Sequence, residues 1–290
     1  MMKGKHWIAV VTMSCVAALV LIAAALAQGE VADSSLASQA YAGSAWDNHE
    51  VTTEQGDGGR IVQHVSAQMP GFSVDELMER SYLVVSGTVV GKSNAFVVDP
   101  SDDKEPRFFT DVFITVDEVF RGSPAYADET AKTIAVRVEG GSGEFVATVN
   151  DATPAFDEGF RYLLFLYQLD DGTYYNAQGD HYYVVGVGTG AWEDTGDGTF
   201  ASPCWQPDGR DCVTAEDVIA VATSAPAEPL PSISGETEPF AHVLTNDEQR
   251  AYEQDVVNTF RNGSSVSSEV HEGEGIKMGT LGRLYWERVC

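Results

Sequence analysis

The clearest alternation of apolar and polar residues lies between Phe108 and Gly122, in the stretch FFTDVFITVDEVFRG. Every second residue over 112–116 is aliphatic, which predicts a strand with one face in a core. The alternation breaks at Asp117 and Glu118, so we expect a β-bulge there that restores the pattern at the next valine. The strand should end at the glycine, since a proline that cannot continue a ladder follows it closely.

Similar stretches flank this strand, and turn residues separate them. They are residues 82–91, 132–139, 145–149, 161–167 and 181–187, with a hairpin around 192–200. The segment RYLLFLY at 161–167 is apolar on both faces, which predicts a central or doubly covered strand. Strands at regular spacing with few helices indicate a mainly β fold. We expect a small antiparallel β-barrel (OB-like), with a sandwich as the alternative.

Two capping boxes predict helices on either side of these strands. The first, over 73–76, begins a short N-terminal helix of about 73–80. The second, over 245–248, begins a C-terminal helical segment with an apolar stripe from Tyr252 to Phe260. We expect that stripe to pack on the barrel, as apolar stripes of amphipathic helices usually do.

Composition divides the chain into five segments. Residues 28–71 carry few bulky apolar side chains and 213–240 are rich in Pro and Ala, so both are interpreted as linkers, although 215–223 also suits a short helix. The predicted segments are a signal peptide or membrane anchor (1–27), a flexible linker (28–71), a β-barrel domain (72–212), a Pro/Ala-rich linker (213–240), and a C-terminal helix and tail (241–290).

The N-terminal residues have the pattern of an export signal. Lys3 and Lys5 precede an uncharged apolar run from Trp7 to Ala27 that ends in Ala-Leu-Ala. This pattern predicts a secretory signal peptide, and the run is also long enough for an uncleaved membrane anchor. Either alternative places the protein outside the cytoplasm, extracellular or at the cell surface. Its membrane contact would be through this segment only.

The chain is strongly acidic, with 44 acidic against 17 basic side chains and a net charge of -27. Loss of residues 1–27 would remove Lys3 and Lys5 and no acid, so the exported part is more negative still. Such a surface repels phosphate backbones and anionic lipids, which argues against nucleic acid as a partner. It suits a cationic partner, or simple solubility.

Cysteine placement suggests one local disulfide. Cys15 lies in the predicted signal, whereas Cys204 and Cys212 enclose a turn-rich loop. Because an exported protein permits disulfides, these two are the candidate pair, which leaves Cys290 free or paired with another molecule. The sequence has no C-x-x-C pair, so neither a thiolate zinc site nor a thioredoxin-like motif is predicted.

Five stretches carry a family resemblance: SYLVVSGTVVG, TDVFITVDEVFRG, TIAVRVEGG, GFRYLLFLY and YYVVGVGTG. Together they resemble a group of uncharacterised exported Gram-positive proteins. Their order is also similar to the oligonucleotide/oligosaccharide-binding (OB) barrel of the netrin and metalloproteinase-inhibitor type, over about residues 73–190. Inhibitors of that type act through a cysteine at the mature N-terminus. Here the mature chain would begin at Gln28-Gly29, so the resemblance implies the fold and not inhibition.

No short motif in the sequence predicts catalysis. The chain lacks the G-x-S-x-G of many serine hydrolases and the H-E-x-x-H of zinc metalloenzymes, and we predict no metal ligands and no cofactor apart from calcium. Calcium is considered because clustered carboxylates suit it, at Asp170-Asp171, Asp194–Asp197 and Asp208–Asp211. Hairpin turns also favour Asp-Gly, so the same residues have a purely structural interpretation.

The candidate ligand-binding residues are aromatic and lie in one hairpin region. They are Tyr174, Tyr175, Tyr182, Tyr183 and Trp192. Alternation along a strand would expose some of them, and exposed Tyr and Trp suit contact with a sugar or a protein. Burial in the core is the alternative interpretation.

These patterns lead to two main hypotheses of function. The first is an exported cell-envelope protein, a non-enzymatic binding or interaction β-barrel whose partner is an envelope or host protein or a glycan. The second is an envelope hydrolase with a site assembled from distant residues, for which a pocket lined by Asp180 and His181 would argue. A passive acidic surface protein without a specific ligand is a third.

Overall fold

The computed structural model describes most of the chain between residues 49 and 263. The described residues are 49–56, 59–67, 71–100, 105–168, 177, 181–204, 206–224 and 241–263. All of them belong to one compact unit. The predicted signal segment and the predicted tail after residue 263 lie outside the described residues.

Fourteen strands and three helices make up the described part. The strands are β1 His49–Gln55, β2 Ile61–Ala67, β3 Leu83–Lys92, β4 Phe96–Asp99, β5 Arg107–Arg121, β6 Thr133–Glu139, β7 Gly141–Ser142, β8 Val146–Asn150, β9 Arg161–Tyr167, β10 Tyr183–Val184, β11 Ala191–Asp194, β12 Thr199–Ala201, β13 Cys212–Thr214 and β14 His242–Val243. The helices are α1 Val74–Arg80, α2 Ala215–Ser224 and α3 Asn246–Gly263. The predicted mainly β class is confirmed.

The strands form two sheets. The smaller has the order β1-β2-β8-β7, and the larger runs β13-β12-β11-β9-β3-β5-β4-β14, with β10 added to β9 and β6 added to β5. An isolated bridge between Val136 and Tyr182 links β6 to the segment that leads into β10. Within the described residues the sheets do not close into a barrel, so the predicted OB-like barrel is not confirmed.

The larger sheet buries apolar side chains on both faces. The inner face of β3 and β9 contributes Val85 and Leu164 to the main core. The outer face contributes Val84, Phe165 and Trp192 to a second core, which α1 and α2 cover. Strand β9 is therefore covered on both sides, as its continuous apolar sequence predicted.

The bulge predicted near 117–118 is present at Asp117. Ser86 pairs with Glu118 and Gly87 with Val116, so Asp117 is an extra residue opposite β3. An extra residue in one strand bends that strand and changes the direction of its side chain. The carboxylate of Asp117 lies on the outer face of the sheet as a result.

The predicted flexible linker over 28–71 is wrong for residues 49–67, which contain β1 and β2. Their pairing explains the error, since β2 adds in parallel to β8, more than eighty residues along the chain, and local composition does not signal such a contact. The predicted Pro/Ala-rich linker over 213–240 contains the end of β13 and all of α2, and residues 225–240 lie outside the described residues.

Helix α1 begins with the predicted capping box. The Ser73 hydroxyl accepts a hydrogen bond from the Glu76 amide, and the Glu76 carboxylate accepts one from the Ser73 amide. Helix α3 packs Val257 against Ile61 and Phe108, between the two sheets. Of the helices described, none is at once long enough and apolar enough to cross a membrane.

Candidate functional site

The three members of the predicted aromatic patch that the structure describes are buried in the core, which was the alternative interpretation. Tyr182, Tyr183 and Trp192 are at most 3% exposed. The Tyr182 hydroxyl accepts a hydrogen bond from the Ala125 amide at 2.7 Å, and Trp192 Nε1 donates to a backbone carbonyl at 2.8 Å. These side chains pack the core, because both faces of the sheet are covered in this region. Tyr174 and Tyr175 lie outside the described residues.

His181 belongs to the same buried aromatic layer. Its side chain is buried, and its Nε2 lies 3.2 Å from the Tyr183 hydroxyl. Tyr183 in turn stacks on Tyr167, with 5.6 Å between ring centroids. Asp180, the other residue of the hydrolase hypothesis, lies outside the described residues. His181 is therefore a packed core histidine.

The predicted disulfide between Cys204 and Cys212 is wrong. Cys204 is a free thiol, whereas Cys212 is disulfide-bonded. The partner of Cys212 lies outside the described residues. The error arose because a short, turn-rich loop between two cysteines says nothing about the direction of their side chains.

The Cys204 thiol instead faces polar groups of its own loop and of the turn before β11. Its Sγ lies 4.0 Å from Thr189 Oγ1 and 3.6 Å from the Nε2 of Gln206. Burial raises the pKa of this thiol, and hydrogen bonds with Thr189 and Ser202 offset that effect only in part. The folded protein therefore holds Cys204 as a thiol at neutral pH.

We expect Cys204 to react slowly with iodoacetamide in the folded protein, because the thiolate is the nucleophile and burial disfavours it. Near pH 8 the alkylation rate should be at least about tenfold below that of the chain unfolded in urea. In the folded protein it should rise with pH well beyond the point at which an ordinary thiol is fully ionised. Mass spectrometry of the Cys204 peptide measures both rates. Equal rates in the folded and unfolded chain would contradict the burial of this thiol.

The acidic turns use their carboxylates within the turns. Asp197 accepts hydrogen bonds from the Thr195 hydroxyl at 2.7 Å and the Thr199 amide at 3.0 Å, and the Thr195 bond is the main reason why the pKa of Asp197 is lowered. Asp208 binds the Arg210 amide and guanidinium. The described residues contain no group of three or more His, Cys, Asp and Glu side chains placed to hold a metal. Calcium binding stays a prediction, and the turn at Asp170 lies outside the described residues.

Two buried ion pairs cross-link β5 and β6. Arg137 is 3% exposed and donates from Nε and Nη2 to the two carboxylate oxygens of Asp111, at 2.8 and 3.0 Å. Further along the two strands Arg107 donates diagonally to Glu139, which also accepts a hydrogen bond from Asn150 at 2.7 Å. Each of these charged side chains is paired with a group of the protein itself, so we assign the two ion pairs a structural role.

A different set of polar side chains lies at the edge of the second core, and most of these side chains are partly exposed to solvent. This Arg161 cluster consists of Ser86, Thr88, Asp117, Arg161 and Asp194, which come from the neighbouring strands β3, β5, β9 and β11. Arg161 is its centre. Nε donates to Asp117 at 3.0 Å, Nη1 to Asp194 at 3.1 Å and Nη2 to Ser86 Oγ at 2.9 Å.

The Arg161 cluster is anchored on one side and exposed on the other. The guanidinium of Arg161 lies over the ring of buried Phe200, 5.1 Å from its centroid. The exposed fractions of the side chains are 33% for Arg161, 39% for Asp117 and 14% for Asp194. Fixed charges at a solvent-accessible position are what a polar ligand requires, whereas the buried pairs of β5 and β6 are closed to one.

The sequence contains separate local signals for this cluster, but none of them indicates that the residues are neighbours. Ser86 and Thr88 interrupt the apolar outer face of β3, Arg161 opens the apolar run of β9, and the bulge at Asp117 was predicted. Bulges are common next to functional sites because they redirect a side chain. Only the pairing of the strands brings these positions together.

No family model matches the chain, and no curated protein matches it.

Proposed function

We propose that the protein is an exported, non-enzymatic binding protein of the cell envelope, and that the Arg161 cluster is its ligand contact. The partner is an envelope or host protein or a glycan. The observation that supports this is the assembly of a half-exposed, rigidly held Arg161 between two carboxylates from different strands. A guanidinium fixed between two carboxylates presents donors and acceptors together, which suits recognition of a polar ligand.

The distribution of the other ionisable side chains agrees with a binding role. The charged residues buried in the described part, Arg137, Glu139 and Glu253, each contact a group of the fold. General acid–base catalysis needs such a group within reach of a substrate, and these are closed off by their partners. The resemblance to exported Gram-positive proteins supports the envelope as the location.

The proposal also includes the finer OB-like arrangement of the central strands. Its support is the contact between Tyr182 and β6, where the Arg137 amide donates to the Tyr182 carbonyl at 2.7 Å and the Tyr182 amide donates to the Ala135 carbonyl at 2.9 Å. These two hydrogen bonds join β6 to the segment that leads into β10, and β10 in turn pairs with β9.

Co-sedimentation with purified walls of a Gram-positive bacterium tests the binding role. The exported chain should sediment with the walls, and Arg161→Gln should stay largely in solution because it removes the charge and two of the three donors. Arg210→Gln is the matched control, since Arg210 also bridges two carboxylates, Asp75 and Asp208, but outside the cluster. Circular dichroism should show all three chains folded. Sedimentation of Arg161→Gln at the wild-type level would overturn the assignment of the contact.

A further inference from the structure

We propose that the Arg161 cluster binds a neutral, hydroxyl-rich ligand, a glycan without charged groups, through adjacent hydroxyls of a sugar. This inference rests on the proposed binding function and adds the chemical class of the ligand. It follows from the charge balance of the cluster, from the hydrogen-bonding groups that remain unused, and from the rigidity of their placement.

The charges of the cluster repel an anionic ligand and leave little unpaired charge for a cationic one. Asp117 and Asp194 flank the single positive charge of Arg161, so an anionic group that approaches the guanidinium meets a carboxylate on each side. The acidic surface attracts a cationic group, but both carboxylates are already paired with the guanidinium, so such a group would have to compete with Arg161 for them. Repulsion by the carboxylates opposes an anionic ligand, and the existing ion pairs limit what a cationic ligand gains. A neutral polar ligand avoids both.

The unused hydrogen-bonding groups match a pair of adjacent hydroxyls. A guanidinium carries five N–H groups, and three donate in the contacts of Arg161, which leaves two. Asp117 accepts through Oδ2, from Arg161 and from Thr88 at 3.4 Å, and its Oδ1 accepts no hydrogen bond from the residues that the structure describes. The Asp117 side chain is 39% exposed, so this oxygen is available to a ligand. Each sugar hydroxyl both donates and accepts. One can donate to Asp117 while its neighbour accepts from Arg161.

The placement of these groups is fixed before a ligand arrives. The bulge sets the direction of Asp117, Ser86 is fully buried and holds Nη2, and Phe200 supports the guanidinium face. Asp194 contacts Arg161 through Oδ2, and its second carboxylate oxygen, Oδ1, accepts a hydrogen bond from the Gly196 amide at 2.7 Å. A preorganised array loses little entropy on binding, which is the main requirement for affinity to hydroxyl ligands that already bind water well.

Calorimetry with oligosaccharides of equal length and different charge tests the inference on the exported chain. The probes are an N-acetylated chitin oligomer, which is neutral, its deacetylated form, which is cationic, and an oligogalacturonate, which is anionic. We expect the neutral oligomer to bind at least about tenfold more tightly than either charged one. Its affinity should change little between about 0.05 and 0.5 M NaCl, since no net charge is neutralised.

Conservative variants locate the binding to the cluster. Arg161→Lys keeps the charge but loses the planar array of donors, and Asp117→Asn replaces an acceptor with a donor. Each should weaken binding of the neutral oligomer about tenfold, which corresponds to one hydrogen bond to a charged group. Arg210→Lys and Asp75→Asn, an exposed ion pair elsewhere, are the matched controls and should bind as the wild type does.

The outcomes separate this inference from the proposed function. Tightest binding of a charged oligomer, or wild-type affinity in both cluster variants, overturns the neutral-glycan class. If the chain sediments with walls in an Arg161-dependent way but binds no neutral oligomer, the ligand class is wrong and the binding role stands. If the wild-type chain does not sediment with walls and binds none of the oligomers, both are overturned.

Discussion

Replacement of Arg137 by methionine should lower the free energy of unfolding by about 3–5 kcal/mol, a large part of the stability of a domain. The guanidinium is 3% exposed and gives two hydrogen bonds to Asp111, whose carboxylate is itself mostly buried. It also donates to the Ala177 carbonyl and lies over the ring of Phe96, 4.7 Å from its centroid. Methionine fills much of the space but leaves the Asp111 carboxylate in the interior without its partner, and that uncompensated charge is the reason for the cost.

A double variant separates the lost charge pair from lost packing. Arg137→Met with Asp111→Leu removes both charges and should recover most of the loss, because two apolar side chains in contact often replace a buried ion pair without penalty. Arg250→Met is the matched control. It breaks an ion pair with Glu144 that is exposed on both sides, and it should change the unfolding midpoint little. Urea unfolding followed by circular dichroism measures all four chains. A loss in Arg137→Met no larger than in Arg250→Met would contradict the prediction.

The local pattern of the sequence predicted the elements well where one face of a strand is apolar. The alternation in FFTDVFITVDEVFRG corresponds to β5, and its break at Asp117 corresponds to a bulge in the pairing with β3. These predictions depend on neighbouring residues only, and both periodicity and bulges are local properties of a strand.

The pairing of distant segments set the limit of what the sequence could predict. Residues 61–67 form a strand because β8 lies beside them in parallel, and their composition alone suggested a linker. The aromatic residues at 182, 183 and 192 were correctly placed in strands or close to them, but alternation does not tell which face is exposed when helices cover the outer one. Burial on both faces, at Tyr182 inside and Trp192 outside, required the tertiary structure.

The candidate site shows the same limit more sharply. Asp117, Arg161 and Asp194 lie on three different strands, and each looks like an ordinary polar residue at the end of an apolar run. The order β5-β3-β9-β11 makes them neighbours. The bulge was one local sign of the site, and it indicated where the Asp117 side chain turns without indicating its partner.

Replacement of Glu253 by alanine should detach helix α3 from the sheet while the rest of the fold stays intact. Glu253 is 1% exposed, and its Oε2 accepts hydrogen bonds from the amides of Phe145 and Val146 at 2.5 and 3.1 Å. The turn before these amides carries Gly143, where a Cβ would lie 2.1 Å from Glu253 Oε1, so the carboxylate fits only because this residue has no side chain. Without the carboxylate two amides lose their acceptor, at a cost of about 1–3 kcal/mol each if they stay buried.

Hydrogen exchange measured by NMR resolves this local effect. In Glu253→Ala the amides of Phe145 and Val146 and those of α3 should exchange at least about tenfold faster, whereas the amides of β3 and β9 keep their protection. Gly143→Ala should have the same pattern, because it blocks the carboxylate from the other side, and agreement of the two variants would identify the contact itself as the cause. Asp255→Ala, an exposed acid on the same helix, is the control and should leave the exchange unchanged. Unchanged exchange at 145 and 146 in Glu253→Ala would mean that the apolar contacts of Val257 suffice to hold the helix, and that the buried carboxylate does not determine its docking.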